Sequence, residues 1–274
     1  DIMYVVLSRD DKYTVEISGN GKMRNYISGD SLLFAFNGKK NIESIKVDEG
    51  VTNIGSNAFY DYTSLVDITL PSTMNYIGMS SFENCKLLSE IEISERITVI
   101  EERTFKGCES LTNIKGSLSN ITKICKSAFH DCLKLRSISF SEKLISIEDN
   151  AFKNCKEMYV KNNPDGLMVM GRGAFYNCCK LNSISIPNGI KNIFDDTFNN
   201  CSSLNEIKLA DSIESIGKSA FSKCVSIKYM YLPANIKEIR ENAFSLCDNI
   251  KEIYFNGDFP AISNNSFLNF NTKA

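Results

Sequence analysis

Histidine is almost missing from this chain of 274 residues, which holds one, His130. A single imidazole cannot supply a multi-histidine metal site, and no G-x-S-x-G, H-E-x-x-H, C-x-x-C or EF-hand loop stands in for it. A basic excess is missing too: 31 Lys and Arg face 33 Asp and Glu, for a formal net charge of −2. Without a basic stripe the chain has no phosphate-binding surface, so nucleic acid is not an expected partner. No run approaches the 18 or more apolar residues of a membrane span, and DIMYVVLSRDDKY at the start lacks the basic opening and long apolar stretch of a signal peptide. Opening on Asp1 rather than Met, the sequence reads as a processed or partial chain. Together these absences point away from an enzyme, and from a cofactor or metal.

What is present is a period. Phe59, Phe82, Phe105, Phe129, Phe152, Phe175, Phe198, Phe221, Phe244 and Phe267 follow one another 23 residues apart, with one step of 24. Other apolar positions keep fixed offsets from each Phe. Leu65, Ile68, Leu70, Met74, Ile77, Phe82 and Cys85 are followed by Leu88, Ile91, Ile93, Ile97, Ile100, Phe105 and Cys108. The residue before each Phe is always Ala, Ser or Thr, so small and large side chains must interlock at one crowded place in every unit. A fixed period of this length is the signature of a solenoid that grows by stacking. Ten units begin at Ile42, Leu65, Leu88, Leu111, Leu135, Met158, Leu181, Leu204, Ile227 and Ile250. The last is degenerate, with Phe259 and Phe270 at repeat positions.

Each unit opens with strand alternation, as in Leu88-Ser-Glu-Ile91-Glu-Ile93, with Ile91 and Ile93 inward and Glu90 and Glu92 outward. Pro71, Pro187 or Pro233 then ends a strand because it has no donor for the ladder. A second apolar pair such as Ile97 and Ile100 predicts a return strand, and Gly55, Gly78, Gly171 and Gly217 predict a tight or positive-φ corner. The segment around each Phe is too short for more than a 3₁₀ or α turn. The expected fold is therefore a mainly β repeat solenoid of about ten 23-residue coils, with a parallel sheet along one face. Eight of the ten cysteines occupy one column, three residues after the Phe, which predicts a ladder of buried thiols rather than a disulfide framework. Cys125 and Cys179 lie off the column and are the better candidates for a reactive thiol.

The consensus L-x-x-I-x-L-P-x-x-[ILM]-x-x-I-G-x-x-[AST]-F-x-x-C resembles the BspA-like, or Treponema-type, class of leucine-rich repeats over about residues 42 to 270. Upstream, Tyr13-Thr-Val-Glu-Ile-Ser-Gly-Asn-Gly-Lys-Met23 is similar to the segment that often opens such arrays. The resemblance implies a right-handed leucine-rich-repeat superhelix. We read residues 1–41 as an N-terminal β-hairpin cap, with strands near Met3 to Ser8 and Tyr13 to Ser18, and residues 42–274 as the array. Ala35 and Phe36 stand 23 residues before Ala58 and Phe59 and suggest a vestigial unit within the cap. No polar cap is evident after Phe270, which leaves room for the natural chain to continue.

Two units break the pattern. In the fourth, Gly116 and an inserted residue predict a bulged turn. In the sixth, Lys161 and Asn163 fall at strand core positions before Pro164-Asp165-Gly166, so a short or displaced strand is expected. His130 directly follows Phe129, where other units carry Tyr60, Glu83, Lys106 or Ser222; an exposed, variable position with no catalytic role is expected.

Function is sought on the outward residues of the sheet, the second and fourth after each unit's start. Acidic residues gather at Asp67, Glu90 and Glu92; serines, with Val160 and Asn162, fill the middle. Tyr229, Tyr231 and Tyr254 cluster near the C-terminal end beside Glu206 and Lys208. Tyrosine is enriched at binding hot spots, although it also favours strands for packing reasons alone. The candidate ligand-binding surface is thus Glu90, Glu92, Glu206, Lys208, Tyr229, Tyr231 and Tyr254. An open sheet without a catalytic set suggests a binding module, with a monomer expected and a protein as ligand. The resemblance implies a cell-surface or secreted adhesion protein whose partner is a matrix, host-cell or microbial protein. An intracellular interaction scaffold and a glycan-recognition module fit the same residues.

Overall fold

The computed structural model describes residues 2–9, 12–27, 32, 41–116 and 118–268. Ala35, Phe36 and Phe270 lie outside them. The chain divides into two compact units, residues 1–135 and 136–274.

Each unit is a solenoid of short parallel strands. In the first, β1 (Ile2–Arg9) and β2 (Lys12–Gly19) form the expected hairpin, followed by β3 (Gly21–Lys22), β4 (Ile42–Val47) and β5 (Val51–Ile54). β2 stacks in parallel on β4, and β3 on β5, so the N-terminal segment already follows the course of a coil. Later coils repeat that course. A front strand such as Glu90–Glu92 or Glu206–Leu209 is followed by a two-residue back strand such as Val99–Ile100 or Ser215–Ile216. The parallel sheet predicted along the front is interrupted. In the second unit it breaks into pairs: Ser137–Ile138 with Tyr159–Val160, Ser183–Ile186 with Glu206–Leu209, and Tyr229–Leu232 with Glu252–Phe255. Strands of two to four residues do not hold the coils together unaided.

Two elements run on from coil to coil: the back strands, which in the second unit pair in the order Asn192–Ile193, Ser215–Ile216, Glu238–Ile239 and Ala261–Ile262, and the turn around each Phe. Asn57, Phe59 and Asp61 donate their N–H groups to the carbonyls of Met79, Ser81 and Glu83 in the next coil, while Ala58, Tyr60 and Tyr62 donate locally to Gly55, Asn57 and Phe59. The local bonds are those of 3₁₀ turns, but no helix results. Asn57 and Asp61, two residues before and after the Phe, have positive φ of 57° and 61°. Alternate N–H groups therefore point along the stack. The pattern recurs around Phe198, where Asp196, Phe198 and Asn200 bond Lys218, Ala220 and Ser222, with φ of 58° and 60° at Asp196 and Asn200. Asn, Asp, Ser and Gly hold most of these left-handed positions because their side chains tolerate αL.

Side chains fill the space that this backbone encloses. In the first unit Phe82 and Phe105 stack at 5.6 Å, and Phe105 and Phe129 at 5.4 Å. In the second, the rings from Phe152 to Phe267 form one run at 5.3–5.6 Å. Ala58, Ala174 and Ala220, each before a Phe, are wholly buried. The Cys column is buried as well, and its thiols have partners: Cys108 donates to the Phe82 carbonyl at 3.1 Å and Cys201 to that of Phe175 at 3.1 Å. Cysteine suits this column as a small hydrophobe carrying one weak donor. In the first coil Tyr62 takes the column instead, edge-on to Phe59 at 5.7 Å.

The corner glycines act through closeness rather than handedness. Gly78 and Gly217 lack positive φ, but a Cβ on either would lie 2.5 Å from the Ser56 nitrogen or 2.6 Å from the Asp195 nitrogen of the neighbouring coil. Gly116 does take φ of +85°, and its inserted segment continues into a 3₁₀ helix, Leu118–Asn120. In the sixth unit the front strand shrinks to Tyr159–Val160, as expected, and Asn162 repairs the gap. Its side-chain amide exchanges two bonds of 2.8 Å with the Phe140 backbone, imitating a peptide group.

Asn177 Nδ2 donates to Asn154 Oδ1 at 2.9 Å and Asn200 Nδ2 to Asn177 Oδ1 at 2.7 Å, so the left-handed positions carry a side-chain ladder. Lys223 holds the next rung at φ 62°. Lys223→Asn relieves an unfavourable αL residue and adds a rung, and should raise stability in chemical denaturation by about 1 kcal/mol. The Ser81 hydroxyl is buried without a hydrogen-bond partner among the described residues. Ser81→Ala, matching the commonest residue of its column, should leave stability unchanged or raise it by about 1 kcal/mol in the same assay.

Candidate binding surface

The three predicted tyrosines lie on adjacent front strands of the second unit. Tyr229 and Tyr231 alternate with buried Met230 and Leu232, which directs both rings outward. Parallel pairing sets Tyr229 against Glu252 and Tyr231 against Tyr254. The Tyr231 and Tyr254 rings stack at 4.7 Å with 5° between planes, yet remain 55% and 39% exposed. The Tyr254 hydroxyl donates to the Glu252 carboxylate, and that bond chiefly raises the phenol to about 12, so it stays protonated. Glu206 and Lys208 are exposed on the preceding front strand, Glu206–Leu209, which pairs with Ser183–Ile186 and not with Tyr229–Leu232.

Stacking determines what the pair can offer. Each ring covers one face of the other, leaving the second face and the edges uncovered by the stack. This suits lateral contacts with a protein surface and leaves one ring face for a sugar.

Glu90 and Glu92 belong to the first unit, on the strand paired with Asn113–Lys115. Glu90 forms an ion pair with Lys115, whose hydrogen bond is the main reason its carboxyl titrates below the ordinary range. Both partners are exposed, so the pair adds little stability. Its effect is to neutralise one of the three carboxylates gathered here, leaving Glu92 and Asp67 exposed. Beside them a cleft of about 720 Å³ opens next to Gly116, lined by Pro71, Glu92, Ser94, Glu95, Arg96 and Asn120.

Two expected positions are corrected. The register sets Ser137 against Tyr159 and Ile138 against Val160. Tyr159 is therefore exposed and Val160 half-buried where an exposed position was expected, Lys161 and Asn163 are exposed where core positions were expected, and Asn162 is exposed as expected. The signal was in the alternation: Val160 is the apolar residue between Tyr159 and Lys161, and the strand starts one residue early, leaving it half-buried. The position after the Phe, Leu268 apart, is not exposed either. His130 is half-buried with its Nε2 3.6 Å from Asp131, and Glu83 is buried with Lys106 at 2.8 Å. The turn ladder presses this residue between coils.

With the fold and surface described, the class is plain: these are leucine-rich-repeat solenoids. A family model described as a BspA type Leucine rich repeat region matches residues 33–159 and 169–274 in six copies, and the chain belongs to that family. Among solved structures, a leucine-rich repeat protein of Eubacterium ventriosum is 18% identical, with 99% of this chain and 94% of that one covered at a TM-score of 0.53. One from Bacteroides ovatus is 26% identical, covering 98% and 90% at 0.48. A Treponema pallidum leucine-rich repeat protein is 23% identical, covering 82% and 87% at 0.48. The first likeness supports the fold. No curated protein matches the chain. Among the described residues no three His, Cys, Asp or Glu form a metal-binding group, and no helix is long and apolar enough to cross a membrane.

None of the ten cysteines is in a disulfide, and Cys125, one of the two off-column candidates for reactivity, is buried. Burial raises Cys178, Cys201 and Cys224 well above the ordinary thiol range, and Cys247 to about 12, which keeps the column protonated. Cys179 alone is half-exposed. A maleimide reagent should label one thiol per native chain, lost in Cys179→Ser, with the other nine reacting only after unfolding. Rapid native labelling of several thiols contradicts the buried ladder.

Proposed function

We propose that this chain is a non-enzymatic protein-binding module of a cell-surface or secreted protein, capped by residues 1–41, which holds its ligand on the front face of its second unit. The contact surface is Tyr229, Tyr231 and Tyr254, flanked by Glu206 and Lys208, with Glu90 and Glu92 as a separate acidic area on the first unit. The observation that carries the reading is the exposed, stacked Tyr231–Tyr254 pair. Stacking and strand attachment reduce what these rings lose in freedom on binding, which is how tyrosine serves as a hot-spot residue. Membership of the BspA-type family supports protein binding as the activity. The placement at a cell surface rests on the family resemblance. Carbohydrate recognition is the second reading, because the stack leaves each ring one uncovered face.

The test is binding to a panel of immobilised extracellular-matrix and host cell-surface proteins beside a glycan array. We expect saturable binding to a protein, weakened at least tenfold in Tyr231→Ala/Tyr254→Ala with the circular dichroism spectrum retained. Binding to glycans alone, or unchanged affinity in the double variant, contradicts the proposal.

A further inference from the structure

The N-terminal hairpin carries a surface that the binding face does not explain. β1 is the edge of its sheet, which runs β1, β2, β4 and then the strand Asp67–Thr69. Six consecutive residues, Ile2 to Leu7, are apolar. Tyr4 and Val6 pair with the buried Ile17 and Val15 on the core side, where Val6 is half-buried and Tyr4 still 49% exposed. Met3, Val5 and Leu7 stand on the other face, opposite Ser18, Glu16 and Thr14. There Met3 is 63% and Val5 53% exposed, with Leu7 also exposed.

A strand that is apolar on both faces has the composition of a strand covered on both sides. Edge strands are ordinarily protected from pairing by Lys, Pro, a bulge or short length. β1 has eight residues, no Lys or Pro, and pairs with β2 without a register shift. Its free edge is therefore built to accept another strand.

We propose that the strand it accepts is β1 of a second copy of this chain, paired antiparallel about a two-fold axis at Val5. The run is complementary to itself in that register. Met3 meets Leu7, Tyr4 meets Val6, and Val5 meets its own counterpart, so each central cross-strand pair is apolar and one joins an aromatic to a β-branched residue. An isologous contact of this kind closes after two copies. Its size sets its strength. Edge pairing buries the two backbone edges and the flanks of these side chains while leaving the sheet faces open, so the contact falls below the roughly 1,200 Å² of standard-size interfaces. The dimer is thus weak and reversible, where the sequence alone suggested a monomer.

Sedimentation of the chain from about 1 to about 200 µM, the range in which an interface of this size dissociates, tests the proposal. The mass should climb toward twice the monomer value with concentration. Val5→Lys should remain monomeric throughout, while Met168→Lys, at an exposed apolar position of the second unit, should dimerise like the parent. In a Cys179→Ser background, Val5→Cys should give a disulfide-linked dimer on mild oxidation and Met168→Cys should not. A parent that stays monomeric, self-association that survives Val5→Lys, or equal cross-linking at both sites overturns the proposal.

Discussion

Everything in this molecule depends on how the backbone turns around each buried phenylalanine. A turn ordinarily spends its N–H groups locally, but here a left-handed residue on each side of the Phe re-aims alternate donors along the stack. Three of them, as at Asp196, Phe198 and Asn200, reach the next coil. The buried polar backbone is satisfied in the same act that joins one coil to its neighbour. The phenyl ring, the small residue before it and the cysteine after it then fill the space this geometry defines.

This arrangement frees the front of each coil. Because the turn ladder carries the stacking, the front strands can be short and broken into pairs, and their outward residues can vary. Serines occupy Ser183 and Ser185, while two coils on the same positions hold Tyr229 and Tyr231. A scaffold column changes little from unit to unit. A front position changes freely, and the tyrosine cluster stands out against that background.

Much of this was legible in the sequence. The Phe period defined the coils, and the small-large-thiol columns marked the core, because burial demands the same volume at the same place in every unit. The tyrosine cluster followed from strand alternation. What was hidden depends on atoms that leave no hydrophobic pattern. Left-handed φ at Arg103, Lys223 and Leu246 runs against residue preference and is imposed by the stack. The early strand at Tyr159 exposed that ring and half-buried Val160. Lys115 neutralises Glu90 across a strand pairing that a linear reading treats as two separate surface residues.

The central claim is that the Phe turn, rather than the front sheet, holds the coils together. Native-state hydrogen exchange resolved to single amides tests it most directly. The account predicts that the amides of Phe175, Phe198 and Phe221 exchange only with global unfolding, and that front-strand amides facing a break in the sheet, between Glu206–Leu209 and Tyr229–Leu232, exchange orders of magnitude faster. Front-strand amides protected as well as the Phe amides, or better, would contradict it.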